Sequence, residues 1–188
     1  MRSIKETALA FDRACQKASV RYALVGGFAV MAWGQPRATT DVDALARLDG
    51  VRLESFANAL ENEGLRVAVE DLKDVMGRGG HATIFDTRSA YHVDLKPARS
   101  SDERDQVEAA QTVPFEGGQL RVASAEHTIA YKLLYGSERD VQDARSILAR
   151  LGPDLDKALL RVLAEKLGIG AKLEALLQED SRGSRATM

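Results

Sequence analysis

The sequence has one cysteine, Cys15, so no internal disulfide is possible and the chain suits a reducing compartment. Cys15 stands at helical spacing with Ile4, Ala8 and Phe11, which makes it an expected core residue rather than a reactive thiol. Positive charge is not in excess either. With 26 Lys and Arg against 28 Asp and Glu, the formal net charge is -2, and no global field draws the protein to polyanions. No apolar run approaches the ~18 residues that span a bilayer. Met1 to Glu6 is not followed by a signal-peptide apolar core, so a soluble, cytoplasmic protein without membrane contact is expected. No internal repeat is visible. What is present is enough apolar material, 45% of 188 residues, for one domain or one domain with a smaller appended lobe.

Periodicity predicts a helix over 3–18, a buried strand over 20–25, and a two-turn helix over 28–33 that Gly34 and Pro36 stop. A strand carrying Asp41 and Asp43 follows. Val51, Leu53, Phe56 and Leu60 predict a helix closed by Gly64, then a strand over 65–69. The segment Gly77 to Gly80 reads as a flexible loop, and 81–85 with 91–96 as a hairpin around a polar turn. From Ser100 the pattern becomes mainly helical, with helices over 124–135, 138–151 and 154–167 and a polar tail from Gln178. This order argues for an α/β (α+β) fold. The expected layout is a lobe over 1–98, a mainly helical lobe over 99–180 and a flexible tail over 181–188, with the boundary region at 98 to 123.

The segment from Tyr22 to Leu45 is the most informative. An apolar strand ends in Gly26-Gly27, and the later strand puts Asp41 and Asp43 on one face, with Val42 and Ala44 on the other. Paired like charges beside a core are costly unless a cation sits between them, and a divalent metal is the obvious candidate. The glycine pair offers backbone N–H groups of the kind that hold phosphates. In the second hairpin strand, His92, Asp94 and Lys96 share a face, and Pro97 ends the ladder. His81 and His92 have no partner at zinc spacing and read as ordinary polar residues, His92 being the one that shares a face with Asp94.

These residues resemble the nucleotidyltransferase superfamily of DNA polymerase beta type. Its signature is an apolar residue and Gly-Gly, a short interval, Asp-x-Asp, and a third carboxylate on a neighbouring strand. Here Val25, Gly26-Gly27, Asp41-Val42-Asp43 and Asp94 fill those places. The later stretch Ser124 to Tyr135, followed by Glu138-Arg139-Asp140-Val141-Gln142-Asp143, is similar to AbiEii/AbiGii toxin-type members. The resemblance covers about residues 20 to 148 and implies a nucleotidyltransferase-like mixed sheet flanked by helices, with a C-terminal helical lobe.

The resemblance implies an enzyme that moves a nucleoside monophosphate from an NTP to an acceptor hydroxyl with Mg²⁺ or Mn²⁺. Asp41, Asp43 and Asp94 are the expected catalytic residues and metal ligands, with Asp94 on the side of the attacking hydroxyl. Gly26 and Gly27 are expected at the phosphates, and Arg37, Lys132 and Arg139 are the expected cations for the nucleotide. Asp140 and Asp143 leave a second reading open, an ion-pair network that holds Arg139 within its own helix. For the acceptor, the AbiE-type resemblance implies RNA and an antitoxin partner. Aminoglycoside-modifying members share the Gly-Gly, arginine, threonine and Asp-x-Asp pattern, so a small-molecule acceptor is the alternative. A non-catalytic nucleotide-binding module is the third reading.

Overall fold

A computed structural model describes the chain except Arg37, Thr187 and Met188, and without the side chains from Asp180 onward. Contacts divide it into two compact units, one of Met1–Phe28 with Ala38–Ala123, the other of Ala29–Arg37 with Ser124–Met188. The division in the contacts follows Ala123. Residues 99–123, read with the helical lobe, fold onto the sheet of the first unit.

That unit holds β1 (Arg21–Leu24), β2 (Val42–Arg47), β3 (Leu65–Arg66), β4 (Ala82–Asp86), β5 (His92–Pro97), β6 (Gln111–Phe115) and β7 (Gly118–Val122). They form one mixed sheet in the order β3-β4-β5-β2-β1-β7-β6. The central pair β2–β5 is parallel, whereas β1–β2 and β4–β5 are antiparallel. Helices α1 (Ile4–Lys17), α3 (Leu53–Asn62), α4 (Val69–Arg78) and α5 (Ser101–Glu108) belong to the same unit. The first starts at a capping box in which Ser3 and Glu6 satisfy each other's backbone N–H. Its buried face includes Ala8, Phe11 and Cys15, and Phe11 stacks edge-on against Tyr22 at 5.2 Å and Phe56 at 6.5 Å. Cys15 is fully buried, and burial pushes its thiol up, as expected of a core residue.

Three segments of this unit differ from the periodicity reading. The strand expected over 65–69 is only Leu65–Arg66, because Val69 opens α4, which buries Leu72 and Val75 one turn apart. That helix runs through Gly77 and stops at Gly79, whose φ of +85° suits glycine alone, so the expected loop is half helix. The third difference is β6–β7, a hairpin turning at Glu116-Gly117 in the boundary region, where no strand was expected. Its alternation is weak because Pro114 and the polar residues of an edge strand dilute it.

At one end of β4, Asp86 is a buried acceptor of hydrogen bonds from Thr7 Oγ1 at 2.6 Å, the Arg88 amide at 2.9 Å and Arg2 Nη1 at 3.3 Å. Burial alone would push this carboxyl up, but the bonds from Thr7 and Arg88 and the charge of Arg2 outweigh it and hold it below its ordinary value. Thr7→Val, nearly isosteric, is expected to cost about 2 kcal/mol at pH 7 by urea denaturation. A carboxyl lowered in the folded state stabilises above its unfolded value and loses that contribution as pH falls through the folded one. The difference between variant and parent should therefore shrink below about pH 4.

The chain leaves the first unit along α2 (Gly26–Trp33) and later at Ser124. The second unit is built from α6 (Ala125–Tyr135), α7 (Glu138–Leu151), α8 (Lys157–Lys166) and α9 (Gly170–Ala186). Its core joins Val30, Ile129, Leu133, Ile147, Leu160, Leu163 and Leu173, with Trp33 packed beside them. The tail expected to fray from Gln178 continues α9 as far as Ala186, and the end of the expected 181–188 tail, Thr187 and Met188, lies outside the described residues. No helix among the described residues is long and apolar enough to cross a membrane.

Candidate active site

Parallel pairing of β2 with β5 sets Asp43 directly beside Asp94 in register, and Val42 beside Val93. Alternation therefore sends the two carboxylates to one face of adjacent strands while the valines enter the core. Asp41 precedes β2 by one residue and lies on the same side, since its carboxylate, that of Asp94 and the His92 ring each place a ligand atom within 4.8 Å of the others. All three are half-buried, accessible yet partly shielded.

Each outer carboxylate is held by a threonine. Thr39 Oγ1 donates to Asp41 Oδ1 at 3.0 Å. Thr83, which pairs with Asp94 across β4–β5, donates to Asp94 Oδ1 at 2.9 Å. The second oxygen of Asp94 faces His92 Nε2 at 3.6 Å. One oxygen of Asp41 and one of Asp94 are thus engaged by a hydroxyl, which restrains the rotamer of each.

Asp43 lies against Gly26, the first of the glycine pair. Gly26 opens α2 with φ +55°, a conformation that other L-residues adopt at a cost, and a Cβ placed there would come 2.8 Å from Asp43 Cγ and nearer still to its Oδ2. The Val25 amide donates to the Asp43 carbonyl at 2.9 Å, fixing the end of β1 to the acidic strand. The missing side chain at Gly26 is what lets the backbone approach this carboxylate.

The donor set fits a divalent cation. Octahedral ions with bonds of about 2.1 Å set neighbouring donors about 3 Å apart, so the trio needs only a small closure of its side chains. Of these three, Asp41 and Asp94 are residues the sequence singles out as metal ligands, and Asp43, the other expected ligand, is not among them; His92 reads in the sequence as an ordinary polar residue on the Asp94 face. Its signal was there, two positions before Asp94 on the same strand face.

Among the other expected nucleotide ligands, Arg37 lies outside the described residues. Lys132 and Arg139 belong to the second unit. There Lys132 Nζ sits between Asp140 Oδ1 at 2.7 Å and Asp143 Oδ2 at 2.9 Å, and Arg139 lies in the first turn of α7. The ion pairs seen at Asp140 and Asp143 thus hold Lys132 of the preceding helix, the residue read as a cation for the nucleotide.

No protein-family model matches this chain, and no curated protein is significantly similar to it in sequence. Solved structures do resemble it. ANT(2'')-Ia in complex with adenylyl-2''-tobramycin superimposes with a TM-score of 0.58 at 17% identity, over 88% of this chain and 97% of that one. A lincomycin-bound lincosamide antibiotic adenylyltransferase, LnuA, gives 0.50 at 16% identity, over 77% and 96%. An antigenic nucleotidyltransferase-like protein from Paracoccidioides brasiliensis gives 0.53 at 17% identity, over 95% and 94%. The mixed sheet and its flanking helices therefore make a nucleotidyltransferase-like fold.

Proposed function

We propose that this protein is a nucleotidyltransferase that moves a nucleoside monophosphate from an NTP to a hydroxyl of a small-molecule acceptor. The observation that carries this is the in-register pair Asp43 and Asp94, with Asp41 beside Asp94 and Gly26 against Asp43, at one end of the central strands of this fold. In the reaction the acceptor oxygen bonds to the α-phosphorus, the bond from that phosphorus to the bridging oxygen breaks, and pyrophosphate leaves. Asp94, held by Thr83, takes the hydroxyl proton through its oxygen that faces the cluster. Gly26 and Gly27 offer unhindered backbone to the phosphates at the start of α2. Asp41, Asp43 and Asp94 would hold Mg²⁺ or Mn²⁺, which supplies charge neutralisation at the phosphoryl and leaving oxygens.

The small-molecule acceptor rests on the neighbours. Two of them were solved with adenylyl-2''-tobramycin and with lincomycin, and this chain spans nearly their whole length. An RNA acceptor, an antitoxin partner and closeness to AbiE-type toxins draw no support from them, and a net charge of -2 supplies no general attraction for RNA. The test is transfer of label from each α-labelled NTP to aminoglycosides, lincosamides or total transfer RNA, with Asp43→Ala in parallel. Label should appear on a small molecule with the parent protein, and chelation by EDTA should abolish it. Equal transfer by both proteins, or none to any acceptor, overturns the catalytic reading and leaves a nucleotide-binding module.

A further inference from the structure

We infer that His92 is a nitrogen ligand of the divalent cation held by Asp41 and Asp94, and that it tilts the site toward Mn²⁺ over Mg²⁺. The inference rests on the proposed metal-dependent transfer and adds to it which ion the chain prefers. Three observations carry it. His92 Nε2, Asp41 and Asp94 converge within 4.8 Å, a span one ion can close. The nitrogen faces Asp94 Oδ2 at 3.6 Å, too long for a hydrogen bond but suitable for two donors that share a partner between them. Thr83 and Thr39 occupy the Oδ1 atoms of both aspartates, so neither needs the imidazole to fix its rotamer.

The consequence follows from ligand chemistry. Mg²⁺ is a hard ion that takes oxygen donors, whereas imidazole is a regular ligand for first-row transition ions. An imidazole added to the carboxylates therefore discriminates where carboxylates alone would not. Register fixes the imidazole there: β5 alternation puts His92 on the Asp94 face, and pairing with β4 at Phe85 and Thr83 prevents a slip that would turn both away.

The experiment uses the full chain and the metal alone. Pulsed electron paramagnetic resonance on protein with sub-stoichiometric MnCl₂ reads directly bound imidazole as ¹⁴N modulation of the echo. The parent should show it, and His92→Gln should bind Mn²⁺ without it, about tenfold more weakly, while its Mg²⁺ affinity changes less than about twofold. His81 and His127 remain in that variant and control for stray coordination. Bound Mn²⁺ without ¹⁴N modulation in the parent, modulation that survives in His92→Gln, or no Mn²⁺ binding at all would each overturn the inference. The transferase reading is judged separately by label transfer in Mg²⁺, which needs no nitrogen ligand, so the two can fail independently.

Discussion

Asp43→Ala is expected to lower nucleotidyl transfer by about a thousandfold or more, and Gly26→Ala to lower it by about a hundredfold with every carboxylate intact. The first removes the carboxylate that stands in register with Asp94, leaving only Asp41 and Asp94 to hold the cation that would neutralise the phosphoryl oxygens. The second acts through geometry. A methyl at Gly26 would meet the Asp43 carboxylate, at 2.8 Å from Cγ, and the rotamer must turn away. The φ of +55° adds strain of about 1–2 kcal/mol for any residue with a Cβ. If the backbone relieved that strain by moving, the amides of Gly26 and Gly27 would leave their place, so either response disturbs the site. Single-turnover label transfer with saturating NTP reads the chemical step, and thermal melts in parallel show whether both variants are folded. A Gly26→Ala protein with parental turnover would disconnect the glycine from Asp43 and remove the close approach from the mechanism.

The acidic site was legible because its signals are local. Gly26-Gly27 and Asp41-Val42-Asp43 lie in one short stretch, and period-two alternation puts each aspartate on a known strand face without tertiary information. What joins the two strands is not local. That β2 lies parallel to β5 with Asp43 beside Asp94 follows from the crossover, which no pattern within either strand encodes. His92 is half legible for the same reason: its i,i+2 relation to Asp94 is visible, but its approach to Asp41 depends on strand pairing. The β6–β7 hairpin was missed on other grounds. It attaches to the sheet through a single bridge, Leu24 to Val122, and an edge ribbon with one buried face at Leu120 and Val122 leaves little alternation to read.

The cation at Asp140 and Asp143 shows the same limit and sets the second large expectation. Arg139 is the basic neighbour of Asp140 in sequence, yet adjacent helical residues do not share a face, while Asp140 and Asp143, three apart, do. The ammonium that meets both comes from the preceding helix, from Lys132, which is 12% exposed. Burial would push the Asp140 carboxyl up, but hydrogen bonds from Lys132 and Ser137 more than reverse that and hold it below its ordinary value. Lys132→Met, which keeps the aliphatic bulk and deletes the charge, would leave two shielded carboxylates facing each other. It is expected to cost about 3 kcal/mol at pH 7, near the lower end for breaking a buried pair because some solvent reaches these groups. The cost should fall in acid, since a lowered carboxyl contributes above its unfolded value and loses that contribution as pH drops through the folded one. In an Asp143→Asn background the same substitution should cost at least about 1 kcal/mol less, because one of the stranded charges is already gone. Urea denaturation of the four proteins at pH 7 and pH 4 measures both. An unchanged midpoint for Lys132→Met would sink the structural role.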